Sequence, residues 1–212
     1  MKESMGKAFV IFEIILSIAL TNMLLIGGSL LSVFLLFPVL LISTLYYLRR
    51  MYLYREFTGI IYNYAHFIRG NILSSIKILF PLVLFIGFLL LSIFYYNRVM
   101  IELFHPFLVI LIFVVQAFML YQAVGVMLVS AILYAQFKEK HHDETPTYAL
   151  LNKGFIILNA HPVRGFLSII SLIMGTVFII RLVPFFYLIV LPIGLFAFYV
   201  VFSDVIEQKK YV

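Results

Sequence analysis

Long, uninterrupted apolar stretches dominate the chain, and few polar residues interrupt them. Two of the clearest run from Phe80 to Tyr96 and from Pro106 to Tyr121. A transmembrane helix needs about 20 mostly apolar residues, whereas a strand of a membrane barrel shows about 10 residues of alternating polarity. In lipid, only helices or closed barrels satisfy every backbone hydrogen bond. The continuous stretches therefore predict an all-α integral membrane protein.

Six stretches are candidates for membrane spans. They are residues 8–26, 29–48, 78–96, 106–134, 165–180 and 182–202. Only Gly27 and Gly28 separate the first two, which predicts a tight hairpin. The fourth, at about 29 residues, must tilt or extend beyond the bilayer. Residues 1–212 are expected to form a single helical domain.

The first apolar run allows a second interpretation, a secretory signal, because Lys2 and Lys7 precede it. However, the run is longer than the apolar core of a typical signal, contains Glu13 and is followed at once by another apolar run. We therefore expect a retained membrane span.

The distribution of Lys and Arg predicts the orientation. With the N-terminus inside, only Arg98 and Arg181 of the 15 Lys and Arg residues fall on the outer side. Cytoplasmic loops of membrane proteins carry an excess of these residues, so both termini are expected in the cytoplasm. The composition agrees, with 65% hydrophobic and 11% charged residues. The net charge of +6 then follows from topology and does not require a nucleic-acid partner.

Two stretches on the inner side have helical spacing but are not spans. Residues 56–69 place Ile60, Tyr64 and Phe67 on one stripe, and residues 147–160 carry a similar apolar group around Ile157. Both are predicted to be amphipathic helices at the membrane surface or against the bundle. The candidate partner-docking residues on and beside them are Tyr64, Phe67, Arg69, Lys153, Ile157 and Arg164.

Each inner stretch leads into a similar junction. The first is Arg69-Gly70-Asn71-Ile72-Leu73-Ser74, and the second is Arg164-Gly165-Phe166-Leu167-Ser168. Internal repeats are common in transport proteins, so one interpretation is a parallel repeat. The other is chance similarity in a biased composition.

Several segments resemble the YesL-like family of small bacterial membrane proteins. They are Phe37-Pro38-Val39-Leu40 before Arg49-Arg50, the segment from Tyr62 to Asn71, Ala160-His161-Pro162, and the final span from Pro184. The resemblance covers nearly the whole chain, although small residues are expected after Pro38, where Val39 and Leu40 stand. It implies a bacterial cytoplasmic membrane and an association with ATP-driven (ABC) carbohydrate uptake systems. It implies no mechanism.

Polar residues within the predicted spans are few and scattered. Glu13, Asn22 and Gln116 are candidates for an intramembrane polar site, because polar groups in lipid are costly and frequently functional. The alternative for Asn22, Gln116 and Gln122 is hydrogen bonding between helices. The alternative interpretation of Glu13 is that its carboxylate extends to the lipid headgroups on the cytoplasmic side of the membrane.

No arrangement typical of catalysis or metal binding is evident. The run from His141 to Glu144 contains metal-ligand types, but adjacent histidines in a loop do not share one face and no cysteine supports them. No serine has a histidine and a carboxylate at recognisable spacing. We therefore expect no catalytic residue, no metal and no cofactor, and a protein that is not an enzyme.

Two functional hypotheses from different classes remain. In the first, the chain is an accessory or assembly partner of a carbohydrate ABC transporter and contacts its permease or ATPase subunits. In the second, it is itself a permease-like transport subunit. Such subunits present a short inner helix marked by Glu-Ala-Ala and a glycine four residues later. The nearest match here is Tyr148-Ala149-Leu150 with Gly154, and it lacks the glutamate.

Overall fold

The computed structural model describes residues 36–54, 60–103, 105–140, 147–182 and 187–207. Six helices lie in these ranges, and no strand occurs in them. The helices are α1 (Phe37–Tyr54), α2 (Ile60–Leu103), α3 (Pro106–Lys140), α4 (Thr147–Ala160), α5 (Pro162–Leu182) and α6 (Tyr187–Glu207). The all-helical prediction is confirmed for this part of the chain.

The start of α3 follows from its local sequence. Pro106 occupies the first helical position, where a missing N–H has no consequence. The backbone N–H of Phe107 donates to Nδ1 of His105 at 3.3 Å, and that of Leu108 donates to the His105 carbonyl oxygen at 2.9 Å. His105 therefore caps the helix, which starts where the apolar pattern predicts.

The structure differs from the prediction at α2. The inner segment 56–69 and the span 78–96 were expected to be separate helices, but from Ile60 onward they form one helix of 44 residues. Asn71, in the expected junction, donates from Nδ2 to the Phe67 carbonyl oxygen at 2.9 Å, so its side chain bonds within the helix. With no proline between the two segments, nothing interrupts the helix.

The other predicted bounds agree to different degrees. The second span overlaps α1 from Phe37, the fifth lies within α5, and the inner segment 147–160 is α4. Residues 187–202 of the expected sixth span lie in α6, and residues 183–186 lie outside the described residues. The first span and the hairpin at Gly27-Gly28 lie outside the described residues.

Two described helices contain a stretch that is long and apolar enough to cross a membrane. These stretches are Tyr64–Tyr95 in α2 and Pro106–Lys138 in α3. A bent pair, Tyr148–Ala160 with Pro162–Met174, raises the number to three if it counts as one span. Many large apolar side chains on α2 and α3 are exposed, and we call this surface the lipid belt. Its members include Leu84, Phe88, Leu91, Phe94, Phe107, Ile110, Val114 and Phe118. An exposed apolar surface on helices long enough to cross a bilayer indicates contact with lipid, so the chain is a membrane protein.

The buried core is concentrated around α1. This helix packs against α2, α3 and α6, and its side chains from Val39 to Leu45 are all buried. The second half of α3 and the last part of α6 complete the core. Its largest fully buried side chains include Tyr47, Tyr134, Phe198, Tyr199 and Phe202.

A hydrogen-bonded tyrosine joins α1 to α2 inside this core. The Tyr64 hydroxyl donates to the Leu40 carbonyl oxygen at 3.0 Å and lies 3.1 Å from the Thr44 hydroxyl. One turn further, the rings of Phe67 and Tyr46 stack with centroids 4.5 Å apart. The apolar stripe predicted for residues 56–69 therefore packs against a neighbouring helix of the same chain.

We expect Tyr64→Phe to lower the free energy of unfolding by about 1 kcal/mol, because it removes a buried hydrogen bond and leaves its acceptor in place. The measurement is equilibrium unfolding in mixed micelles. The matched control is Tyr62→Phe, since Tyr62 is 75% exposed. Equal destabilisation by both variants would contradict this assignment.

Candidate functional site

The most distinctive local feature is the break between α4 and α5. The two helices meet at His161 and are bent by 98°. Pro162 has no N–H and restricts the residue before it, so α4 cannot continue through this point. The N–H of His161 donates to the Ile157 carbonyl oxygen at 3.2 Å, which completes the last turn of α4.

Gly154 allows α4 to approach α3 very closely. A side-chain carbon at this position would overlap the Ser130 hydroxyl oxygen and would lie 3.3 Å from both the Ser130 nitrogen and the Val126 carbonyl oxygen. Because two of these three atoms belong to the backbone, they cannot move aside like a side chain. Nearby, the Ser130 hydroxyl donates to the Leu150 carbonyl oxygen at 3.4 Å. Small residues thus bring the two helices together, as is common in membranes.

Gly165 has a similar role at the start of α5. A side-chain carbon there would lie 2.7 Å from a methyl carbon of Leu158 and 2.9 Å from the Tyr121 hydroxyl oxygen. Leu158 is buried between α4, α3 and α5. The glycine therefore allows α5 to return against α4 and α3 immediately after the break.

Polar side chains hold the break against α3. Nε2 of Gln122 donates to Oδ1 of Asn159 at 3.1 Å, and Nδ2 of Asn159 donates to Oε1 of Gln122 at 3.4 Å. The Tyr121 hydroxyl donates to the Pro162 carbonyl oxygen at 3.3 Å. These bonds support the interpretation that Gln122 serves hydrogen bonding between helices.

An apolar groove adjoins the break. Its volume is about 530 Å³, it is open to the outside, and almost all of its surface is carbon. It is lined by Ala117, Phe118 and Tyr121 of α3 and by Pro162, Val163, Phe166 and Leu167 of α5. The only side-chain polar group among these residues, the Tyr121 hydroxyl, already donates to Pro162. The groove therefore suits an apolar ligand.

The candidate docking residues divide into two groups. Tyr64, Phe67 and Ile157 are buried inside the bundle, with Ile157 at 0% exposure. A partner cannot contact these three side chains in this fold, because α1 and α3 already cover them. Arg69, Lys153 and Arg164 are exposed, so docking through these three residues stays a prediction.

Only Gln116 of the three residues expected to form an intramembrane polar site lies among the described residues. Glu13 and Asn22 lie outside the described residues. Nε2 of Gln116 donates to the Ser92 hydroxyl at 3.0 Å, which joins α3 to α2 across the lipid belt. This bond is the helix-to-helix contact that the alternative interpretation expects.

The burial of one cation was not predicted from the sequence. Arg49 of α1 is only 5% exposed, although it belongs to a basic pair that the positive-inside pattern places at the membrane surface. Its neighbour Arg50 donates from a terminal guanidinium nitrogen to the Tyr46 hydroxyl at 3.3 Å. Because side chains on both faces of α1 are buried, the pattern of polar and apolar residues along this helix does not indicate that Arg49 is buried.

The described residues contain no group of three or more His, Asp or Glu side chains able to hold a metal ion. The run from His141 to Glu144 lies outside the described residues. No protein-family model, no curated protein and no solved structure matches this chain. The YesL-like resemblance therefore stays a hypothesis that rests on the quoted residues.

We expect Gly154→Ala to destabilise the contact between α3 and α4 by about 1–3 kcal/mol, the usual range for overpacking a close interface. Thermal unfolding in detergent is the measurement. Gly87→Ala is the matched control, because a side-chain carbon at Gly87 has no other atom within 4 Å. Replacing this helical glycine should instead be neutral or slightly stabilising. Equal unfolding temperatures for the two variants would show that the close approach at Gly154 is not required.

Proposed function

We propose that the chain is a non-enzymatic accessory partner of a bacterial carbohydrate ABC transporter, and that it docks through the cytoplasmic ends of its long helices. The observation that carries the proposal is the length of α2 and α3. They have 44 and 35 residues, which correspond to about 66 and 53 Å at the rise of an α-helix. A bilayer with its headgroups is about 40–45 Å thick, so both helices extend beyond it.

The positive-inside bias supports placing this extra length in the cytoplasm. Arg69 and Lys77 lie in the first half of α2, whereas the exposed side chains from Pro81 to Tyr95 are apolar. We propose six spans with both termini inside. In this arrangement, the first half of α2, the end of α3 and the start of α4 are at the cytoplasmic side.

The exposed surface of these elements has the composition of a docking site. We call it the inner face, and its members are Ile61, Tyr62, His66 and Arg69 on α2, with Tyr148, Lys153, Phe155 and Ile156 on α4. Tyr148 is 82% exposed. Exposed aromatic residues combined with Arg are typical of protein interfaces. The family resemblance supports transporter subunits as the partners.

One observation favours a permease-like subunit as the second candidate. Helices that break at membrane depth are common around the substrate sites of transporters, and the α4–α5 pair has such a break. Against this candidate, Gly154 of the Tyr148-Ala149-Leu150 match is packed against α3, and the glutamate of the usual motif is absent.

Affinity purification of the tagged chain from detergent-solubilised membranes separates the two candidates. The accessory function predicts recovery of a complete permease pair together with the chain. Recovery of an ATPase without any other permease would overturn that function and support the transport subunit.

Variants of the inner face test the docking surface. We expect Tyr62→Ala combined with Tyr148→Ala to lower the recovery of the partner about tenfold, which corresponds to about 1.4 kcal/mol. The matched control is Tyr95→Ala, because Tyr95 is an exposed tyrosine at the opposite end of α2. Arg69→Glu combined with Lys153→Glu should lower the recovery of the partner to a similar extent. This loss of recovery should be larger at lower salt concentration, where charge interactions are less screened. Unchanged recovery with both pairs of variants would exclude the inner face.

Buried positions give a further comparison. Tyr64→Glu and Ile157→Glu place a charge in the core, where both residues are covered by other helices. We expect them to reduce the yield of folded protein itself, because an unpaired buried charge is strongly destabilising. They are therefore unsuitable as docking variants, and the monomer peak in gel filtration checks this expectation.

A further inference from the structure

We propose that the predicted first span, residues 8–26, packs on a polar face of α5 and that its Glu13 carboxylate forms an ion pair with the Arg164 guanidinium. The inference rests on residues 8–26 crossing the membrane, which is part of the six-span arrangement of the proposed function. It requires no partner protein. Its support comes from the faces of α5, the depth at which α5 begins and the distribution of acidic residues in the sequence.

Helix α5 has three faces with different surroundings. One lines the apolar groove, and a second packs into the bundle with Gly165 and Ile169 buried. The third carries Arg164, Ser168 and Ser171, whose spacing of four and three residues places them on one side of a helix. We call this third side the polar face. Arg164 and Ser171 are exposed, so the described part of the chain leaves this face open.

Two hydrogen bonds between α2 and α3 provide a scale of depth for the start of α5. One joins Gln116 to Ser92, and the other joins Tyr134 to Asn71. Between these bonds, 18 residues of α3 run alongside 21 residues of α2 in the opposite direction. Each position of α3 in this interval can therefore be matched to a position of α2.

On this scale, α5 begins inside the apolar stretch. Tyr121 lies level with a point about nine residues, or about 13 Å, beyond Lys77. Its hydroxyl donates to the Pro162 carbonyl oxygen. One turn nearer to the level of Lys77, a side-chain carbon at Gly125 would lie 3.1 Å from the Cδ1 atom of Ile169. The first turns of α5 therefore lie about 7–13 Å beyond Lys77.

Arg164 is thus an exposed cation within the apolar stretch. It makes no hydrogen bond and no ion pair with any residue that the structure describes. Charged side chains inside a membrane pair with one another or face the interior of a bundle, because an isolated charge in lipid is costly. A carboxylate pairs with a guanidinium through two parallel hydrogen bonds. An acidic side chain on a further helix is therefore the expected counterpart of Arg164.

The sequence contains one acidic residue that can supply this carboxylate from within a span. Of the nine Asp and Glu residues, only Glu13 lies in any of the six predicted spans. It belongs to the segment that precedes Leu36, the first described residue. Charge complementarity therefore identifies residues 8–26 as the occupant of the polar face.

The polar residues of the two helices also correspond in spacing. Glu13 is followed by hydroxyl residues four and eight positions later, and Arg164 is followed by hydroxyl residues four and seven positions later. A parallel alignment that pairs the two charges brings Ser17 next to Ser168. Small hydroxyl residues are common where helices approach closely in membranes. The six-span arrangement agrees, because its first and fifth spans run in the same direction.

The basic pair Arg49-Arg50 fits Glu13 less well. Arg49 is only 5% exposed, so other helices already surround it. The neighbouring Tyr46 stacks on Phe67, which lies about three turns before the predicted span 78–96. The pair is therefore outside the apolar stretch in which a counterion is required.

An engineered disulfide tests the position of residues 8–26. The chain contains no cysteine, so Ser17→Cys with Ser168→Cys introduces a single pair of thiols. After oxidation in native membranes, we expect loss of both free thiols without dimer formation, because closely packed helices bring the two Cα atoms within the range of a disulfide. The matched control is Asn22→Cys with Ser168→Cys, since nine residues of helix separate Asn22 from Glu13 by half a rotation. Its thiols should remain free.

The result of this test is independent of any transporter subunit. Two free thiols in the Ser17→Cys and Ser168→Cys variant would overturn the proposal. A disulfide between two chains would also overturn it, because it would identify a second copy as the occupant of the polar face. Neither outcome would affect the accessory function, which affinity purification tests, and failure of that purification would not affect the disulfide.

Charge exchange tests the ion pair itself. Glu13→Arg should lower the midpoint of thermal unfolding in detergent by about 3 °C, the shift expected for one lost interaction in a chain of this size. Adding Arg164→Glu should restore most of this loss. The matched control adds Lys77→Glu instead, since Lys77 is an exposed cation of α2, and it should restore nothing.

Equal midpoints for the two double variants would overturn the ion pair and would indicate that a partner's carboxylate or a headgroup neutralises Arg164. The cysteine variants retain both charges, so the disulfide still tests the packing if a charge variant fails to fold.

Discussion

Backbone hydrogen bonding at membrane depth is the constraint on which this structure depends. Lipid offers no partner for an N–H or a carbonyl oxygen, so each must be satisfied within the protein. The long helices α2 and α3 meet this requirement through their own turns, except at Pro81 of α2, which has no N–H. At the break, the N–H of His161 bonds the Ile157 carbonyl oxygen, the N–H of Gly165 bonds the His161 carbonyl oxygen, and the Tyr121 hydroxyl of α3 donates to the Pro162 carbonyl oxygen. The break is thus supported by α3.

This support requires close packing, and the close packing requires small side chains. Gly154 brings α4 onto the backbone of α3 near Val126 and Ser130. Gly165 allows α5 to leave the break while still in contact with Leu158 and Tyr121. The groove lies beside this contact, between α3 and the start of α5. Packing, polar contacts and groove are therefore parts of one local arrangement.

The sequence predicts the helices better than it predicts their surroundings. The apolar run from Pro106 and the inner segment 147–160 correspond to α3 and α4, because hydrophobic length and proline positions determine these elements locally. The separation of residues 56–69 from the next span was wrong, since Gly70 and Asn71 do not stop a helix whose asparagine bonds to its own backbone.

Burial could not be predicted in the same way. An apolar stripe shows that a helix face avoids water, but lipid, a partner and another helix of the same chain all satisfy it equally. Tyr64 and Ile157 pack inside the chain for this reason, although their pattern also fits a docking face. The groove depends on the angle between α4 and α5, which no periodicity encodes. Arg164 could be noted from its charge, but its exposure on α5 required the structure.

The continuity of α2 has a mechanical consequence. A helix with no break between Ile60 and Leu103 behaves as a rod that connects the two ends of the helical bundle. A force applied near Tyr62 is therefore transmitted along the axis, with bending concentrated where the backbone bond is lost at Pro81. Ser92, bonded to Gln116, lies beyond that point, so tilting of the rod would carry α3 along with it. The two helices would then respond as one lever to a force at the Ile60 end of α2.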